Sequence, residues 1–171
     1  YEVVEIISDS TQGRIVGKFL KSPILIQGLK DNTPYFYKVR ASNQFGFSEF
    51  TELLGSTPSP ANSKVLIVNG FDRVTGTTNT FDFILEHGNA IYINGYSFDG
   101  ASNEAIINEK IKLNNYEIVD WILGEEGAAT SAFDEKEKAL VQEYILNGGR
   151  LLVSGSEIGY DMSEKGNNSD R

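Results

Sequence analysis

The sequence predicts two structural classes in one chain: an all-β sandwich over residues 1–58 and a three-layer α/β domain with a parallel sheet over residues 64–171. A linker at 59–63 joins them. Three observations carry this prediction. All four prolines, Pro23, Pro34, Pro58 and Pro60, fall in the first sixty residues. The apolar pattern there alternates, as a half-buried strand requires, and no helical period is visible. Beyond the linker, continuous apolar runs bounded by glycine alternate with helical patterns, which is the signature of buried parallel strands with crossover helices.

In the first part, "YEVVEI" is strand-like, "SPILIQGL" carries Ile24, Ile26 and Leu29, and "YFYKVRAS" alternates Tyr35, Tyr37, Val39 and Ala41 on one face. Turn clusters "SDSTQG" and "KDNTP" separate these strands. The stretch "GLKDNTPYFYKVRASNQFGFSEF" resembles a fibronectin type III domain. Leu29, Tyr35 and the alternating strand match that family's tyrosine corner, which implies a core-packed Tyr35 ring whose hydroxyl bonds back to the chain. The resemblance places residue 1 at the third strand of the sandwich, so the domain is expected to be N-terminally incomplete. "GSTPSPANS" then reads as a linker.

In the second part, "KVLIVNG" (64–70) is the first parallel strand. "TFDFILEHG" is a helix with Thr80 as N-cap and Gly88 past its end. "AIYING" (90–95) is the second strand, "NEAIINEKIKL" (103–113) a helix, and "YEIVDWILG" (116–124) the third strand. "DEKEKALVQEYILNGG" (134–149) is a helix capped by Asp134 with Glu137 completing a capping box, and with Leu140, Val141, Tyr144 and Ile145 as its apolar stripe. "RLLVSG" (150–155) is the fourth strand. The expected architecture is flavodoxin-like and C-terminally incomplete.

Composition excludes several chemistries. The chain has no cysteine, so thiolate catalysis, disulfides and cysteine zinc sites are ruled out. With one histidine, His87, it cannot build a zinc centre of two or three imidazoles. A Ser-His-Asp triad would have to use His87, which reads as a cation at a helix C-terminus. The formal net charge is −9, and residues 61–171 carry all of the excess acid. That argues against nucleic acid, whose phosphates need a basic surface. No apolar run is long enough to span a membrane.

Ligands of open parallel sheets bind beyond the carboxyl ends of the strands. The expected strand ends there supply Asp72 after the first strand, Asn94, Tyr96 and Asp99 after the second, Glu125 after the third, and Ser156, Glu157 and Asp161 after the fourth. Glu157 stands at the centre of the frame "GSEIG". Carboxylates grouped there can act as general acid and base, so Glu157, Asp72, Glu125 and Asp161 are the catalytic candidates. Asn94, Tyr96, Asp99 and Ser156 are the ligand-binding candidates. Oxygen donors of this kind also suit Ca²⁺ or Mg²⁺, but no motif supports either ion, and no cofactor is expected. No glycine pattern supports a phosphate loop.

The pieces "VLIVNGFDR", "FDFILEHGNAI", "GYSFDGASNEAI", "YEIVDWILGEEG" and "FDEKEKALVQEYILNGGRLLVSGSEIGYDM" together resemble a family of secreted bacterial proteins labelled xanthan lyase-like or N-acetylmuramoyl-L-alanine amidase-like. This resemblance implies a secreted or surface protein, with further domains, that acts on bacterial polysaccharide or peptidoglycan as a hydrolase or lyase. The alternative is a non-catalytic carbohydrate-binding or structural module. The α/β part also resembles class I glutamine amidotransferase-like domains, in which a strand leads to a glycine-framed cysteine nucleophile. Glu157 occupies that place here, so a cysteine-dependent amidotransferase is excluded.

Overall fold

The computed structural model of the chain describes residues 1–7, 13–71, 79–80, 82–125, 131–156, 158–161 and 163. The strands are β1 (Glu2–Ile6), β2 (Gly13–Lys18), β3 (Tyr35–Arg40), β4 (Ser42–Asn43), β5 (Gly46–Phe47), β6 (Leu54–Ser56), β7 (Val65–Asn69), β8 (Phe98–Ser102), β9 (Ile118–Gly124) and β10 (Arg150–Gly155). The helices are α1 (Phe83–Ile93), α2 (Asn103–Ile107), α3 (Glu135–Leu146) and the short α4 (Ile158–Tyr160).

The expected pairing of a fibronectin sandwich with a separate parallel-sheet domain is overturned. One mixed sheet of eight strands runs through both parts in the order β10-β9-β7-β8-β6-β3-β1-β2. Strands β10, β9, β7 and β8 pair in parallel, and β6, β3, β1 and β2 continue the sheet antiparallel. The joint is β6 against β8, where Ser56 faces Asp99 and the Thr57 amide donates to the Phe98 carbonyl at 2.8 Å. Pairing with β6 covers the edge that β8 would otherwise leave open, and an exposed strand edge is a liability. Among the described residues the only other sheet is the β4-β5 ribbon, so no second layer closes a sandwich over β1–β3.

The facing of β3 follows from this joint. The expected core face was Tyr35, Tyr37 and Val39, but the fully buried residue is Phe36, at 1% exposure. Phe36 packs against Phe98 with ring centroids 6.0 Å apart. Tyr35 and Tyr37 stack on the opposite face, half-buried, at 6.3 Å. The Tyr35 hydroxyl still accepts from the Lys30 amide at 2.9 Å.

Two cores lie on the two faces of the parallel strands. On one face α1 covers Val65, Ile67, Phe98 and Ile122, with Phe36 and Leu53 brought in from the β part. On the other, α2 and α3 cover Leu66, Val68, Ala101, Val119, Trp121 and Leu123. Helix α3 carries the expected capping box: the Glu137 amide donates to Asp134 at 2.7 Å, and the Asp134 amide donates to Glu137 at 2.8 Å. Leu140, Val141 and Tyr144 pack inward, while Ile145 is half exposed.

Three helical expectations are corrected. Thr80 does not cap α1, which starts at Phe83 after Asp82. Gly88 does not end it: the helix runs on to Ile93 and absorbs "AIYI", so the second parallel strand is Phe98–Ser102 instead. Position 88 requires glycine for packing, not for a helix stop: a Cβ there would lie 2.6 Å from the Phe98 ring and 3.0 Å from the Phe36 ring. It is the point where the helix touches both halves of the sheet. Helix α2 is shorter than expected because Glu109 takes a positive φ of 54° and ends the helical run.

Candidate functional site

Helix α1 follows β7 onto one face of the sheet, and α3 follows β9 onto the other. The carboxyl ends of the neighbouring strands β7 and β9 therefore form the switch point at which open α/β sheets leave a crevice. The described residues at this edge are Asn69 to Phe71, Asn79, Gly124 and Glu125, with Ser156 beside them just past β10. The Gly70 amide donates to the Ile122 carbonyl at 2.7 Å, and the Ser156 amide donates to the Gly124 carbonyl at 2.7 Å. Asn79 is buried at this edge, its Oδ1 accepting from the Glu125 amide at 2.9 Å. Asn69 is buried, and its Nδ2 donates to Glu52 Oε2 at 3.1 Å and to the Leu53 carbonyl at 3.0 Å.

The site residues expected from sequence separate into three groups. Glu125 and Ser156 are exposed at the carboxyl edge. Asp161 is also at this end, but it is 8% exposed and its Oδ2 accepts from the Ala132 amide at 2.7 Å. It therefore ties the segment after β10 to the approach of α3. Asp72 and Glu157, the residue expected at the centre of the site, lie outside the described residues.

Asn94, Tyr96 and Asp99 form the third group, at the opposite edge. Because α1 extends to Ile93, they lie at and before the amino end of β8. Asn94 donates to the Ala90 carbonyl at 2.8 Å and closes the helix. Tyr96 is exposed. Asp99 accepts from Ser56 Oγ at 2.9 Å, from Ser63 Oγ at 3.4 Å and from the Tyr116 hydroxyl at 3.1 Å, which fastens β6 and the linker to β8. Burial, with the Asp99 charge beside it, pushes the Tyr116 phenol up to about 12.

Sequence reasoning missed one arrangement. Asp120, at the middle of β9, is 4% exposed, and its Oδ2 lies 2.7 Å from His87 Nδ1 on α1. His87 is the fifth residue of an eleven-residue helix, not its C-terminus. The hydrogen bond from Asp120 raises the imidazole's affinity for a proton above the ordinary histidine value, against an opposing effect of burial. The signal was an acid inside the apolar run "IVDWIL": a carboxylate cannot stay in such a strand without a partner.

Among the described residues, no group of three or more carboxylate or imidazole side chains could hold a metal ion. Nor is any helix long and apolar enough to cross a membrane. Comparison of the chain with protein-family models, with curated proteins and with solved structures returns no match.

Proposed function

We propose that the chain is part of a secreted bacterial polysaccharide- or cell-wall-active protein and that its carboxyl edge binds a glycan without cleaving it. Glycoside cleavage by acid–base chemistry needs two carboxyl groups facing one bond. The observation that carries the reading is how the described acids of this edge are used. Asp161 is buried against a backbone amide, and only Glu125 is exposed. Ser156, exposed, lies beside it through its amide hydrogen bond to the Gly124 carbonyl, and Tyr160, in the short helix that follows β10, is 55% exposed. A carboxylate, a hydroxyl and a flat aromatic face suit the hydroxyls and apolar faces of a sugar. The resemblance of residues 64–162 to secreted polysaccharide- and wall-active proteins supports the glycan class of ligand.

The test is a screen of the chain against bacterial polysaccharides and peptidoglycan that reads retention and turnover separately. The expected result is retention on at least one glycan, weakened by Glu125→Gln and by Tyr160→Ala, with no release of reducing ends or peptides. Turnover that Glu157→Gln abolishes would establish a catalytic edge instead. Retention on none of the glycans would remove the glycan reading.

A further inference from the structure

On β9 and β10, the face of the sheet beneath α1 carries two buried polar atoms without a partner among the described residues. Asp120 and Ile122 on β9 stand opposite Leu152 and Ser154 on β10. Ile122 belongs to the core under α1, so these four residues share that face. Asp120 Oδ1 and Ser154 Oγ are both buried and have no hydrogen-bond partner among the described residues. Such orphaned groups are rare in folded proteins, and each calls for a partner or a role. Leu152, in register with Asp120, is 56% exposed. Among the described residues helix α1 packs mainly over β6, β7 and β8, and the exposed Leu152 marks where solvent reaches this face beside the acid.

His87 reaches Asp120 on this face from α1 and keeps part of its side chain exposed. An ionised carboxylate oxygen only accepts hydrogen bonds, so at 2.7 Å from Asp120 the His87 Nδ1 must carry the proton. The neutral ring then presents its lone pair on Nε2, which meets no hydrogen-bond partner among the described residues, while the side chain is 25% exposed. Orientation of an imidazole by a buried carboxylate at one nitrogen leaves the other free to take a proton. The charged groups acting on the ring are Asp120 across the sheet and Glu86 on its own helix, both negative, and both favour the imidazolium formed by that transfer.

We propose that His87 and Asp120 form a proton-accepting site on the α1 face, with His87 Nε2 receiving the proton of a ligand hydroxyl or water that enters over Leu152. The proton passes from the ligand oxygen to Nε2, and the carboxylate of Asp120 holds the resulting imidazolium. Ser154 Oγ lies on the same face as a hydrogen-bonding partner for the ligand. This site is separate from the carboxyl edge and does not rest on the glycan reading. It is not a Ser-His-Asp triad, since Ser154 makes no bond to His87.

The single histidine makes the site directly readable. Nitrogen NMR of the labelled chain should find the neutral ring in the Nδ1–H form. Diethyl pyrocarbonate should carbethoxylate one site at a rate no slower than N-acetylhistidine. Hydrolysis of p-nitrophenyl acetate by the chain should fall at least tenfold in His87→Gln and measurably in Asp120→Asn. An Nε2–H tautomer, more than tenfold protection from the reagent, or ester hydrolysis unchanged in His87→Gln would each overturn the proposal. The first two are read on the unmodified chain, so misfolding of Asp120→Asn leaves the test intact.

Discussion

Gly88→Ala sets two effects against each other inside α1. In a helix interior, alanine is favoured over glycine by about 1 kcal/mol, so an open site would be stabilised. Here the added Cβ lands 2.6 Å from the Phe98 ring and 3.0 Å from the Phe36 ring, where ordinary contact is 3.4–4 Å. Both rings are buried, at 0% and 1% exposure, and have no room to retreat. Overpacking of this kind costs roughly 1–3 kcal/mol and sometimes more. At 2.6 Å, where something must shift, the cost falls in the upper part of that range, about 2–3 kcal/mol. After the helix gain of about 1 kcal/mol, the net loss is about 1–2 kcal/mol. For a chain of this size that lowers Tm by roughly 2–8 °C, at about 2–4 °C per kcal/mol. Thermal and urea unfolding of the variant measure it. In a Phe98→Leu background Gly88→Ala should cost less than it does alone, because the leucine is shorter at the point of contact. A Gly88→Ala variant with unchanged or higher Tm would refute the packing of α1 across the joint between β6 and β8.

The remaining predictions concern charge and capping. Glu2 is 2% exposed and held by Arg40, which donates from Nε at 2.7 Å, with Lys18 at 3.7 Å. Arg40→Met leaves that carboxylate without its closest partner and should cost roughly 3 kcal/mol in urea unfolding. Asp134→Ala removes one half of the α3 capping box and should cost about 1 kcal/mol in the same assay. The folded pKa of His87 lies above the ordinary 6.5, so the folded chain holds its proton more tightly than the unfolded chain. The stability from this pair is complete below pH 6.5 and is lost as pH rises through the folded value. Asp120→Asn should flatten that slope, and an unchanged slope would show that the pair does not carry it.

The sequence made some elements readable because their signals are local. The capping box of α3 needs only Asp134 and Glu137 at the right spacing, and the continuous apolar runs of β7 and β10 need no knowledge of their neighbours. Other elements depended on contacts far along the chain. Gly88 reads as a helix stop until Phe36 and Phe98 are brought against it, and that misplacement sent Asn94, Tyr96 and Asp99 to the wrong edge of the sheet. Strand β6 is three residues of "LGS", too short and too small to register as a strand, yet its pairing with β8 turns two composition regimes into one sheet. The inward face of β3 changed with it, from Tyr35 and Tyr37 to Phe36. At the site, Glu125 and Ser156 were legible as strand-end residues. Asp120 was passed over because an acid within an apolar strand interrupts the pattern without naming its partner, and that partner is on another element.

The central claim is that the carboxyl edge around the switch point receives a glycan, and chemical-shift mapping tests it most directly. An isotopically labelled chain would be titrated with soluble fragments of whichever polysaccharide it retains. The account predicts that the amides of Gly70, Gly124, Glu125 and Ser156 shift together and saturably, while those of Asn94, Tyr96 and Asp99 at the opposite edge stay still. Shifts centred on the opposite edge, or spread evenly over the surface, would contradict it.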